Sequence, residues 1–166
     1  MTAYRDELIW AYNGEVLGEA MFATMAEAVS DPARAGQLAV MALIERQTKE
    51  QLARLLERER FEPDDSKAIA KGQELGVRSA RADWGRFLGS FAPATGPALE
   101  RYKVMRDELS PAEDRPTMDA LVLHEQVVQA FADLALAGDA NPAGPTLEAL
   151  DGANQAVARL LLRQAP

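Results

Sequence analysis

The sequence has no cysteine. That removes disulfides, thiolate metal ligands and cysteine nucleophiles at once. It has one histidine, His124, which leaves little from which to build a nucleophile triad. Aromatic residues make up 6% of the chain, and Val and Ile are sparse, which argues against a sheet protein. No run of about 18 apolar residues occurs, so no segment reads as membrane-spanning. Neither a basic run nor a Gly-rich phosphate loop offsets the formal net charge of -8. Repulsion between like charges therefore disfavours nucleic acid and anionic membranes as partners. The segment from Met1 to Glu7 lacks the basic start and apolar stretch of a signal peptide, so a cytoplasmic location is expected.

What is present points to helices. Hydrophobic residues make up 48% of 166 residues, enough for the core of a single domain over 1–166. Ala, Leu, Glu and Arg dominate, and all are good helix formers. The pattern predicts a first helix from Tyr4 to Val29 and a second from Pro32 to Arg60, capped by Ser30-Asp31-Pro32. A weaker helical stretch follows from Lys67 to Leu75, with Gly72 and Gly76 around its end. A third long helix is expected from Arg78 to Leu109, with a break or kink near Pro93 and Pro97. After a loop from Ser110 to Pro116, Thr117 reads as the cap of a fourth helix, Met118 to Ala137. A last helix is expected from Thr146 to Arg163, following the linker that begins at Asn141.

Helices in a bundle bury a stripe that recurs at steps of three and four. In the first helix the stripe reads Leu8, Tyr12, Glu15, Glu19, Phe22, Ala26, Val29. In the second it reads Leu38, Met41, Glu45, Thr48, Leu52, Leu55. In the fourth, Met118 and Leu121 are followed by His124 and Glu125, then Val128 and Phe131. Carboxylates thus fall where the core should be apolar. A buried, unpaired carboxylate costs several kcal/mol or shifts its pKa until it is neutral. The three helices must share a partner for them: a metal, a proton, one another's hydrogen bonds, or an Arg such as Arg46, Arg81 or Arg101.

Three segments, Glu15-Val-Leu-Gly-Glu19-Ala-Met-Phe22, Leu43-Ile-Glu45-Arg-Gln-Thr48 and Leu123-His124-Glu125-Gln-Val-Val-Gln-Ala-Phe131, together resemble the ferritin-like superfamily. The resemblance covers residues 4–138. It implies an all-α, ferritin-like four-helix bundle; an up-down arrangement and a long connection between helices 2 and 3 are expected with it, while the additional C-terminal helix over 146–163 is expected from its own pattern and lies outside the resemblance. It also implies a carboxylate-bridged iron or manganese centre used for oxygen-dependent or redox chemistry. A complete two-metal site takes one Glu from each of two helices and Glu-x-x-His from each of the others. Here Glu19, or Glu15, matches the lone Glu of helix 1, and Glu45 and Glu125 match two more. The paired histidine positions hold Thr48 and Val128 instead, and helix 3 offers no well-placed Glu. His124 lies one residue before Glu125. Three carboxylates and an imidazole suit iron or manganese, so Glu19, Glu45, Glu125 and His124 are the expected ligands.

Around them, Glu15 reads as an acceptor that orients a ligand or as a solvated carboxylate at the rim. Thr48 reads as bonded to its own helix or as holding water. Tyr12 and Tyr102 read as cavity-facing groups or as core residues with a hydroxyl at the edge. A closed apolar cavity lined by Phe22, Phe87 and Phe131 is the expected substrate space for a small-molecule ligand. Two rival functions remain: a metal-free bundle acting as a binding or interaction module, and a pocket whose carboxylates hold a cationic or polar ligand. Apolar residues on two faces of helix 1 make a homodimer the expected assembly.

Overall fold

The structure, a computed structural model, describes residues 3–163. Seven α-helices and no strand occur among the described residues, and no helix is long and apolar enough to cross a membrane. Helix α1 spans Ala3–Ala28 and α2 spans Pro32–Arg58. Between them Asp31 caps α2, its Oδ1 accepting from the Ala33 N–H at 3.0 Å, with Pro32 in the first turn where no N–H is needed.

The next segment departs from the sequence reading. Helix α3 runs over Ser66–Arg81, well past Leu75. The glycines that weakened the helical signal are where α3 presses on α1. A Cβ at Gly72 would lie 2.4 Å from the Leu17 carbonyl oxygen, and one at Gly76 would lie 2.7 Å from that of Met21. The expected long helix from Arg78 is therefore divided at Ala82–Asp83. Helix α4 (Trp84–Val104) starts afresh there, with Asp83 Oδ1 accepting from the Arg86 N–H. Pro93 and Pro97 sit inside α4 without ending it. Both are on the exposed face, as is Gly89, whose carbonyl loses its partner to Pro93, so water can satisfy what the ring removes.

A π-helical turn (Met105–Leu109) and a short 3-10 turn (Ala112–Asp114) lead into α5 (Arg115–Leu136). Thr117 lies within α5 rather than capping it; Pro116 occupies the first turn. The C-terminal helix is also two pieces, α6 (Gly144–Ala149) and α7 (Gly152–Arg163). Leu150 is buried at the joint, and Asp151 caps α7 by accepting from the Asn154 N–H.

The buried apolar side chains form two clusters, and each of four helices contributes to both. Going along the chain, α1 passes from the half containing Leu8 to the half containing Phe22. Helix α2 passes back from Met41 to Leu52, α4 goes the same way from Leu88 to Leu99, and α5 returns from Leu121 to Phe131. The order is up, down, down, up. Strict alternation fails at the connection between α2 and α4, which traverses the length of the helices and carries α3 along α1. Between the two apolar halves lies a layer of buried polar groups: Glu15, Glu45, Thr48, Thr95, His124 and Glu125.

Candidate functional site

The polar layer brings Glu15 from α1, Glu45 from α2, Tyr102 from α4, and His124 and Glu125 from α5 together. Their exposures are 2% for Glu15 and His124, 6% for Glu45 and 8% for Glu125. His124 Nδ1 lies 2.9 Å from Glu15 Oε2, and its Nε2 lies 3.5 Å from Glu45 Oε1. Neither contact meets hydrogen-bond geometry, so both ring nitrogens are left without a hydrogen bond, as is Glu15 Oε2. The other Glu15 oxygen accepts from the Tyr102 hydroxyl at 3.2 Å. One donor atom from each of Glu15, Glu45 and His124 falls within 4.8 Å of the others.

Close approach of the backbones makes this possible. A Cβ at Gly18 would meet Glu45 Oε2 at 2.5 Å, and one at Gly14 would stand 3.6 Å from the Tyr102 hydroxyl. The Gly14-x-x-x-Gly18 spacing is thus the sequence trace of the site's inner wall: bare helix surface where carboxyl and phenol lean on α1.

Burial in the low-dielectric layer sets the electrostatics. It pushes Glu45 up to about 8: His124 pulls it down, Glu15 pushes it further up, and burial wins. Burial likewise raises Glu125 to about 7, against the lowering effect of His124. For His124, burial alone would favour the neutral ring, but the charges of Glu15 and then Glu45 outweigh it and hold the imidazole well above its ordinary value. Burial and the Glu15 charge keep Tyr102 protonated far above the usual phenol range. Burial thus makes Glu45 and Glu125 hold their protons to higher pH than surface carboxylates would.

The expected residues divide cleanly. Glu45, His124 and Glu125 join the layer, and so does Glu15. Glu19, the carboxylate preferred from the sequence, does not. It lies one turn further along α1, where Arg46 Nε donates to it at 2.6 Å and Lys49 donates to its other oxygen. Burial raises its pKa, but Lys49 and Arg46 more than offset this and hold it below the ordinary range. Thr48 donates to the Ile44 carbonyl of its own helix at 3.1 Å. Tyr12 faces away, donating to Asp65. Of the three arginines flanking the seams, Arg46 neutralises Glu19 and Arg101 binds Glu7 through two nitrogens, while Arg81 is exposed at the end of α3. None reaches the buried layer.

A cavity of about 200 Å³ occupies the seam between α1 and α4 and ends on Glu15, Glu45 and Glu125. Phe22 lines it, as expected, but with Phe91 rather than Phe87 and Phe131, which belong to the apolar half beyond. Of the two tyrosines read as cavity-facing, Tyr102 is the cavity's phenolic wall and donates to Glu15.

No protein-family model matches the chain, and neither a curated protein nor a solved structure matches it.

Proposed function

We propose that the protein is a ferritin-like four-helix bundle that holds one iron or manganese ion through Glu15, Glu45 and His124. The observation that carries this reading is the meeting of three donor atoms from three helices within 4.8 Å, with both imidazole nitrogens unbonded. Orphaned donors in a dry layer are costly unless something binds them. Two carboxylate oxygens and an imidazole nitrogen are a donor set that iron and manganese accept. The up, down, down, up order with one long crossover supports the same family of bundles. A second ion lacks nitrogen donors, because Thr48 is turned to its own helix and Val128 is apolar.

Bound there, the metal supplies Lewis-acid and redox chemistry towards oxygen or a small molecule. The chain's own residues do the rest. Tyr102 orients Glu15 through its hydroxyl. Gly18 leaves room for the Glu45 carboxyl. The apolar halves of the core exclude bulk water, and the α1/α4 cavity gives a small molecule access to the layer.

A metal-free bundle acting as a binding module is the second reading. It is favoured by the 2.9 Å approach of His124 to Glu15, which lets an imidazolium neutralise the layer by itself. Elemental analysis decides between them, before and after anaerobic incubation with ferrous iron and desalting. About one metal per chain, lost in Glu45→Gln, supports the metal site. No metal retained in either preparation sinks it.

A further inference from the structure

We infer that the α1/α4 cavity is a binding site for a small aromatic or branched amine, with Glu125 receiving the ammonium group. Glu125 is buried to 8% exposure, opens into the cavity, and has no hydrogen bond or ion pair among the described residues. Its carboxyl oxygens are not among the fully enclosed orphaned atoms, so the cavity reaches them and a ligand can donate to them there. Glu15, by contrast, already receives the Tyr102 hydroxyl. The Thr95 hydroxyl, also on the cavity wall, is spent on the Ala92 carbonyl. Glu15 and Glu45 both face His124, at 2.9 Å and 3.5 Å, so Glu125 is the cavity carboxylate that has neither a hydrogen bond nor an ion pair to give up.

The walls define the rest of the ligand. Trp10, Met21, Phe22 and Phe91 make them apolar and aromatic, and no Lys, Arg or His lines the cavity. An anionic head would meet three carboxyls at the inner end of the cavity, where the nearby His124 is already taken up by Glu15 and Glu45. A cationic nitrogen gains a charge-assisted bond at the floor, and its apolar part fills the space above. A dry cavity of about 150 Å³ accommodates benzene, so about 200 Å³ suits one ring with a short arm. Glu125 is not among the proposed metal ligands, but Glu15 and Glu45 line the same cavity, so the amine site is tested on metal-free protein.

Calorimetric titration of the full chain with benzylamine, benzyl alcohol and benzoate tests the assignment. Metal content is measured on the same samples, so that the two readings are judged separately. Benzylamine should bind in preference to both analogues. Glu125→Gln should weaken it by roughly tenfold or more while leaving benzyl alcohol unchanged. Ala98→Leu, which fills the cavity from α4, should abolish binding of both while the melting transition stays cooperative. The inference is overturned by any of four results: no binding of benzylamine to the wild type, equal or tighter binding of the alcohol or the acid, undiminished benzylamine binding by a folded Glu125→Gln variant, or an Ala98→Leu variant that is folded and binds benzylamine undiminished.

Discussion

Gly18 on α1 and Glu45 on α2 are in mutual contact: the carboxyl lies against bare helix backbone, 2.5 Å from where a Cβ would be. Two opposed effects therefore meet in Gly18→Ala. Helix propensity favours Ala by about 1 kcal/mol. The added methyl displaces a packed, buried carboxyl, and overpacking of this kind costs about 1–3 kcal/mol. The clash should win or draw level, and any bound metal should be lost because Glu45 can no longer stay in place. Urea unfolding with metal analysis checks this. A variant stabilised by the full propensity gain, with metal retention unchanged, would show that the contact is not structural.

Stability of the metal-free protein should fall as pH rises from about 5 to about 9. Glu45 and Glu125 titrate at about 8 and about 7 in the folded protein, whereas an unfolded Glu titrates near about 4.3. Across that interval the folded state keeps protons that the unfolded chain has released, so each pH unit upward favours unfolding. His124 acts in the same direction. Its raised folded value gives stability that is complete below about 6.5 and fades as pH climbs through the folded value. Glu19, whose value is lowered, has its effect at more acid pH. Thermal melts of chelator-treated protein across this range should slope downward, and Glu45→Gln should flatten them.

The two carboxylates of α1 should behave differently. Glu19→Gln removes partners of Arg46 and Lys49 near the surface, where such pairs contribute about 1 kcal/mol or less. It should leave metal content intact. Glu15→Gln removes the group on which Tyr102 and His124 converge and should abolish metal retention. Parallel elemental analysis of the two variants separates them. The opposite pattern would put Glu19 at the centre.

Tyr102→Phe deletes the one hydroxyl donated to Glu15 while keeping the ring that packs on Trp10 at 5.5 Å. Leaving Glu15 Oε1 without that donor should cost about 1–2 kcal/mol, read from denaturant midpoints. In the metal-loaded protein the loss should be smaller, because the ion holds Glu15 in its place. An equal loss in both states would argue that Glu15 is no ligand.

Much of this was legible without coordinates. The helix-forming composition and the three-four periodicity of apolar residues determined an all-helical chain, and they placed Glu45, His124 and Glu125 in seams that had to be buried. Asp31 and Pro32 marked the start of α2 through cap chemistry that is local by nature. Tertiary structure alone decided between Glu15 and Glu19. The two are four residues apart, so they share a helix face and periodicity cannot rank them. What ranks them is the register of α2, which sets Arg46 and Lys49 beside Glu19 and the imidazole of α5 beside Glu15. The glycines tell the same story. Gly72 and Gly76 weakened a helical signal within their own segment, and only the backbone of α1, far away in sequence, shows why a side chain there has no room. Propensity and periodicity are properties of neighbours along the chain, whereas the site and its cavity are made by helices that meet only after folding.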